Sequence, residues 1–328
     1  MRFNFRLPTY IKPIKYHLKI KPIHPNYDIF HGICKMDFET IVPTNTIILH
    51  ANGLEIKTVK LVSLEELSLQ TFNPPTISYS DQYQQVMFKF DLMLPLKARL
   101  IIRYVGTITN ELSGLIKVKP LQANLRVKNF TPGQLRMLQH LRNLERFSVP
   151  VKSPTLIMYT QFQPIAARRM FPCLDEPSFK AVFKLDVYLD KHSDFSVISN
   201  TRIEKLTYTS TDKVYKFSET PLMSTYLVAL YISTDQRIEK TLQLRDQSIS
   251  LGISHHDLSK IDTDYTFKIL SECVLKSQEY LGIPYPFGKI DLVEVADFSA
   301  GAMENIGLII GRTDTLIFKK DHDKTNIS

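Results

Sequence analysis

Tryptophan is absent from the 328 residues, and glycine is scarce, with 11 against 18 prolines. So few glycines argue against the Gly-rich loops that cradle phosphates, and none of the usual nucleotide or dinucleotide fingerprints occurs. Cysteine is also rare. Cys34, Cys173 and Cys273 lie far apart and form no CxxC pair, which argues against a disulfide framework or a structural zinc knuckle and reads as reduced core thiols. The opening MRFNFRLPTYIKPIKYHLKI holds no apolar run long enough for a signal peptide or a transmembrane helix. As written the chain is expected in the cytoplasm; an upstream segment would move that expectation to the plasma membrane or the secretory route. The sequons at Asn129 and Asn326 matter only in that second case.

What is present is an ordinary folded composition, 44% hydrophobic and 23% charged, with a net charge of +8. That charge is local. Residues 117–152 carry Lys117, Lys119, Arg126, Lys128, Arg136, Arg142, Arg146 and Lys152 against the single acid Glu145. Apart from Phe130 and Phe147, no aromatics alternate with these charges as a base-stacking surface needs, so no nucleic-acid partner is expected. Within this stretch Thr131-Pro132 reads as a helix start, and Leu135, Leu138, Leu141 and Leu144 form one apolar stripe. A basic helical insertion between strands is expected.

Most of residues 10–235 reads as β. Val86, Phe88, Phe90, Leu92 and Leu94 alternate with outward Lys89 and Asp91, and Ala181, Phe183, Leu185, Val187 and Leu189 alternate with outward Lys184 and Asp186. Tyr16-Leu18-Ile20 and Ile47-Leu49 are shorter examples, and clusters such as Asn73-Pro74-Pro75 separate the runs as turns separate antiparallel strands. Beyond about residue 236 the pattern changes. Phe267, Leu270, Val274 and Leu281 fall at helical spacing, with Asp262 or Thr263 as cap and a stop at Gly282 before Pro284 and Pro286. Lys289–Ala296 reads as a strand leading into DFSAGAMENIGLIIGR at 297–312.

Gly301-Ala302-Met303-Glu304-Asn305 carries chemistry. Gly and Ala leave the backbone bare, so an extended chain can pair against it as an added strand. Glu304 follows at once, and a buried or half-buried carboxylate beside an open edge wants a cation. A peptide's α-ammonium supplies one through short charge-assisted hydrogen bonds. From chemistry alone the alternative stays open: a Glu in a strand-to-turn connection paired with an arginine such as Arg312.

GAMEN resembles the exopeptidase motif of the aminopeptidase N-like family of gluzincin metallopeptidases. Tyr159-Thr-Gln-Phe-Gln-Pro through Ala167-Arg168 to Phe171-Pro-Cys-Leu-Asp-Glu-Pro-Ser-Phe-Lys180 is similar to that family's TQFEP…AR…FPCFDEPxxK block. Arg6-Leu-Pro8 with Tyr16 resembles the start of its N-terminal domain, and Met223–Ala229 the end. The resemblance implies a mainly β architecture. An antiparallel β-sandwich or saddle would occupy residues 1–236, with the insertion at about 117–152. Residues 237–328 would form the first, mixed α/β part of a thermolysin-like catalytic domain. It further implies that Glu304 binds the substrate α-amine, with backbone contacts from Gly301, Ala302 and Met303 and a second amine contact from Gln163. Arg168, Asp175 and Glu176 read as a buried ion-pair network locking the two domains. The implied partner is a peptide with a free amino terminus.

The complete family member uses zinc held by HExxH and a later Glu, with the HExxH Glu as general base. The nine histidines form no HExxH frame, and the chain runs only 24 residues past Glu304. His255-His256-Asp257 and Asp321-His322-Asp323 are the substitute ligand candidates. The expectation is a front portion of a metallo-aminopeptidase that keeps the amine anchor, has no catalytic residues, binds no zinc and is inactive alone. The alternative is a non-catalytic module that binds peptide ends or proteins. Ile306, where relatives often have Trp, and Gly311-Arg312-Thr313, where they have Tyr-Arg-Glu, set the pocket for the first side chain apart from the family pattern.

Overall fold

The computed structural model describes residues 3–65, 72–118, 156–313 and 315–320. The expected basic helix at 131–146, both sequons and the Asp321–Asp323 candidate lie outside the described residues.

The first large sheet has seven strands in the spatial order β12-β13-β10-β1-β2-β7-β4. These are Ile203–Tyr208 (β12), Asp212–Phe217 (β13), Val182–Asp190 (β10), Ile11–Pro22 (β1), Ile29–Thr40 (β2), Lys97–Thr107 (β7) and Glu55–Ser63 (β4). Alternation explains the long central strands: Tyr16, Leu18 and Ile20 on β1 and Phe30, Cys34, Met36 and Phe38 on β2 are sealed, while intervening residues look outward. Every pairing in this sheet is antiparallel except β1 with β10, which is parallel. Two smaller sheets complete this part. One is Thr46–His50 (β3), Gln85–Lys89 (β6) and Thr76–Ser80 (β5); the other is Ser196–Ser199 (β11), Leu230–Ser233 (β14), Ile157–Gln161 (β9) and Gly114–Val118 (β8). One apolar core joins them, with Tyr16 stacked on Phe183 at 5.1 Å and Phe171 edge-on to both.

Sheet membership changes between Ser233 and Gln236. The five-stranded sheet that follows runs Gln236–Gln243 (β15), Ser248–His255 (β16), Lys289–Val295 (β17), Leu308–Arg312 (β19) and Ala302–Met303 (β18). Its β16–β17 and β17–β19 pairs are parallel, and Thr263–Leu281 (α1) forms the crossover between β16 and β17. Asp262 caps α1 by accepting the Tyr265 N–H at 3.0 Å, and Gly282 ends it at φ 65°, left-handed backbone that suits glycine. Phe267 and Val274 bury against the sheet, but Leu281 is 63% exposed, so the expected stripe stops about two turns early.

Several local expectations are corrected. The strand expected over 86–94 covers Gln85–Lys89, with Leu92 exposed past its end. Asp186, expected to face outward, is buried because β10 is an interior strand; its Oδ2 meets His17 Nε2 at 2.9 Å across the parallel pair. Residues Thr46–His50 are buried on both faces, not alternating. Cys34 and Cys173 are core thiols, whereas Cys273 is exposed because α1 turns that side away from the sheet.

Candidate functional site: the Gly301–Asn305 edge

The site begins with β17, a strand buried on both faces at the middle of its sheet. Glu294 on this strand accepts the N–H groups of Thr315, Leu316 and Ile317 on one oxygen, at 3.0, 2.7 and 2.9 Å. That single carboxylate oxygen gathers the chain that returns past the start of α1. Phe318 completes the arrangement, donating its N–H to Thr266 Oγ1 at 3.1 Å.

After β17 the chain reaches the outer edge of the sheet. Ala302 and Met303 pair with Gly311 and Ile310, and Arg312 N donates to Gly301 O at 2.8 Å. β18 stands last in the strand order, so its far edge is unpaired among the described residues. Nothing lies within 4 Å of the point where a Cβ on Gly301 would sit, so this backbone is open to an approaching chain. Met303 is 1% exposed and anchors the edge in the core beside Val293, Phe298 and Leu308. Glu304 points the other way. It is exposed, which corrects the expectation of a buried or half-buried carboxylate, and among the described residues it makes neither a hydrogen bond nor an ion pair, with Arg312 or with anything else. Asn305 is buried again, with its Nδ2 lacking a partner. Its carbonyl accepts the Leu308 N–H at 3.1 Å and closes a tight turn with Gly307 at φ 71°.

Two supports fix this turn. Lys289, 5% exposed, donates to Gly307 O at 2.8 Å and to Asp291 Oδ2 at 2.5 Å, and Arg237 Nε reaches Asp291 Oδ1 at 2.8 Å. Burial pushes the Lys289 ammonium below its ordinary pKa, while Asp291 pulls it back up. From the other side comes Asn200. Its Nδ2 donates to Leu227 O at 2.8 Å and to Ile306 O at 2.9 Å, and its Oδ1 accepts the Ala229 N–H at 2.8 Å. Residues on either side of position 236 are thereby stitched together one peptide beyond Asn305. Tyr159 adds to the same seam: its hydroxyl donates to Asp297 O and its ring lies 6.0 Å from Phe298. Ile116, Ile198, Ala229 and Tyr231 pack there against Val293, Val295 and Met303.

Gln163 lies two residues beyond β9 on an exposed loop with a cis bond to Pro164. It shares no hydrogen bond with Glu304. Tyr159, four residues earlier, ties the strand before this loop to Asp297. The Arg168 network is complete, but not where it was expected. Arg168 Nε donates to Asp175 Oδ2 at 2.9 Å, Nη2 to Asp175 O at 3.1 Å and Nη1 to Gln84 Oε1 at 3.3 Å, while Thr225 Oγ1 donates to Asp175 Oδ1 at 2.7 Å. Glu176 holds Arg6 and the Leu7 N–H. All these partners precede residue 236. The network braces the N-terminal part internally, and the junction is made by Asn200, Tyr159 and apolar packing instead.

Among the described residues no zinc centre is assembled. His255 Nδ1 lies 3.0 Å from both the N–H and the carbonyl oxygen of Asp257, and its ring sits 4.1 Å from that of His256, tilted by 34°. Among the described residues no group of three or more His, Cys, Asp or Glu side chains is gathered for a metal. Asn200, Lys289, Asp291 and Glu294 were not singled out from the sequence. The last three carry a readable signal, charges inside the apolar run KIDLVEV; Asn200 carries none.

With the edge, its turn and the seam described, comparison with known proteins places the chain. Residues 12–131 and 149–227 match the Peptidase M1 N-terminal domain, and residues 265–328 match the Peptidase family M1 domain. The chain belongs to the peptidase M1 family. It is similar to Aminopeptidase 2 of Candida albicans, 31% identical over 330 residues that cover 98% of this chain and 30% of that protein. It is also similar to Endoplasmic reticulum aminopeptidase 1 of Homo sapiens, 30% identical over 333 residues (99% and 31%). Aminopeptidase M1-A of Oryza sativa subsp. japonica is 26% identical over 322 residues (98% and 33%). The chain spans about a third of the length of these curated relatives. No helix among the described residues is long and apolar enough to cross a membrane.

Proposed function

We propose that residues 301–304 form the amine-anchoring part of an aminopeptidase substrate site. In this reading Glu304 binds the α-ammonium of a peptide, Gly301, Ala302 and Met303 pair with its backbone, and Gln163 adds a second contact to the amine. The chain divides at about residue 236 into a β domain and the start of a peptidase domain. The observation that carries the reading is the exposed carboxylate of Glu304, without a partner among the described residues, at the end of a strand edge that is open among them. Such an edge supplies main-chain hydrogen bonds to an extended ligand, and a carboxylate at its end sets the register by pairing with the terminal charge. Anchoring the amino end decides which peptide bond is presented for cleavage.

Zinc chemistry belongs, in this reading, to the complete family member and not to these residues. The sequence holds no HExxH frame and His255 Nδ1 is held against the Asp257 backbone, so no cleavage step is assigned to the chain. The test is fluorescence anisotropy with a labelled pentapeptide whose amino terminus is either free or acetylated. The free peptide is expected to bind about tenfold more tightly, one charge-assisted contact, and Glu304→Gln should erase that difference. Equal binding of both peptides to the unaltered chain refutes the amine anchor. Turnover of an aminoacyl reporter that chelators abolish refutes the assignment of cleavage elsewhere.

A further inference from the structure

A cavity of about 260 Å³ opens in the N-terminal part, between the first residues of the chain, the 81–84 turn and the 165–177 segment. His50 lines it at 2% exposure. The backbone here is fixed, since His50 N donates to Cys173 O at 2.8 Å and Cys173 N returns to His50 O at 3.1 Å. The imidazole is a different matter. Neither ring nitrogen has a hydrogen-bond partner among the described residues, and Nδ1 is sealed from solvent. A buried N–H without an acceptor is rarer and costlier than a bare lone pair, so the favoured tautomer carries its proton on Nε2, the nitrogen left to face the cavity. Burial, with the Arg168 charge adding to it, lowers the His50 pKa to about 3, so the ring is neutral at physiological pH.

The remaining polar groups sort by what is already spent. Arg168 uses three of its five N–H groups on Asp175 and Gln84 and keeps two. Both oxygens of Asp175 are engaged, by Arg168 and Thr225, and both oxygens of Glu176, by Arg6 and the Leu7 N–H. His50 and Arg168 therefore keep unspent donors in the lining, while each carboxylate oxygen there already holds a hydrogen bond. The charges cancel in pairs, Arg168 with Asp175 and Arg6 with Glu176. An anion entering here would lose its hydration without a free countercharge, whereas a neutral oxygen would not. Phe5, 77% exposed, and Ile165, 50% exposed, give the mouth an apolar rim.

We propose that this cavity is a binding site for an uncharged carbonyl group on an apolar body, of the amide class, whose oxygen accepts the His50 Nε2–H. It lies outside the Gly301–Glu304 edge and does not depend on the reading of that edge. The test is ligand-observed NMR on the full chain with benzamide and benzoate as probes. Benzamide is expected to saturate with a dissociation constant on the order of 1 mM, and benzoate to bind at least tenfold more weakly. His50→Phe, which removes the N–H, should weaken benzamide about tenfold, as loss of one buried hydrogen bond does. His50→Gln, which keeps one, should restore part of that loss, and Asn73→Ala, on the surface outside the cavity, should leave benzamide affinity unchanged. No saturable benzamide binding, benzoate binding as well as benzamide, or unchanged affinity in His50→Phe overturns the proposal. If His50→Phe does not fold, the ranking of the two probes on the unaltered chain and the His50→Gln affinity decide alone.

Discussion

Asn200 offers a direct measure of how firmly the amine-anchoring edge is held to the N-terminal part. Its side chain, 4% exposed, makes three hydrogen bonds of 2.8 to 2.9 Å, to Leu227 O, Ile306 O and the Ala229 N–H. Asn200→Ala removes all three and leaves two carbonyls and one amide in a site too closed to re-solvate easily. At about 1 kcal/mol net for each bond, the loss comes to about 3 kcal/mol. The absence of tryptophan rules out the usual fluorescence signal, so urea unfolding is best followed by far-UV circular dichroism. A fall in melting temperature of roughly 6–9 °C should accompany it. Asn73→Ala is the control, because Asn73 is exposed and among the described residues bonds only Asp91, at 2.7 Å; it should stay within about 0.5 kcal/mol. Asn200→Asp keeps the acceptor for Ala229 but turns a carboxylate oxygen onto the Leu227 and Ile306 carbonyls in a buried site, so it should cost at least as much as Asn200→Ala. If Asn200→Ala costs no more than Asn73→Ala, the seam is not carried by this residue and the reasoning fails.

Two further outcomes follow from the same structure. Because the His50 pKa is lowered from 6.5 to about 3, the unfolded chain takes up a proton there before the folded one does. The stability His50 contributes is complete above about pH 6.5 and drains away as pH falls towards 3, about 2 kcal/mol of it by pH 5. Urea titrations at pH 7.5 and pH 5 should show this loss in the unaltered chain and a smaller one in His50→Gln; identical pH dependence would remove His50 as the cause. Gly307→Ala should be worse than Gly53→Ala, although both glycines have φ near +70°. A Cβ at 307 would lie 2.0 Å from Asn200 O while one at 53 meets nothing, so the first should cost at least about 3 kcal/mol and the second only the 1–2 kcal/mol of left-handed strain. Equal melting temperatures for the two variants would contradict the close approach.

How much was legible depends on the range of the forces involved. Alternation revealed β1 and β10, and local capping chemistry located α1 between Asp262 and Gly282, because each depends on residues a few positions apart. Reading the same alternation past Lys89 failed, since pairing with β3 and β5 ends there and Leu92 has no neighbour to bury it. The Glu304 carboxylate was located by its motif, yet its exposure was misjudged because nothing in GAMEN states which side of the edge is covered.

The sequence alone determined the family, the β-rich composition and the limits of α1. Those features are written in contiguous stretches whose side chains act on their own backbone or repeat at a fixed period. Only the tertiary structure decided that Asn200 clips the Ile306 carbonyl, that Lys289 and Arg237 share Asp291 beneath Gly307, and that Arg168 and Asp175 brace one part of the chain internally. Hydrogen bonds and buried charges are satisfied by whichever partner the fold brings within about 3 Å. For Asn200 that partner lies 106 residues away, where no local pattern could announce it.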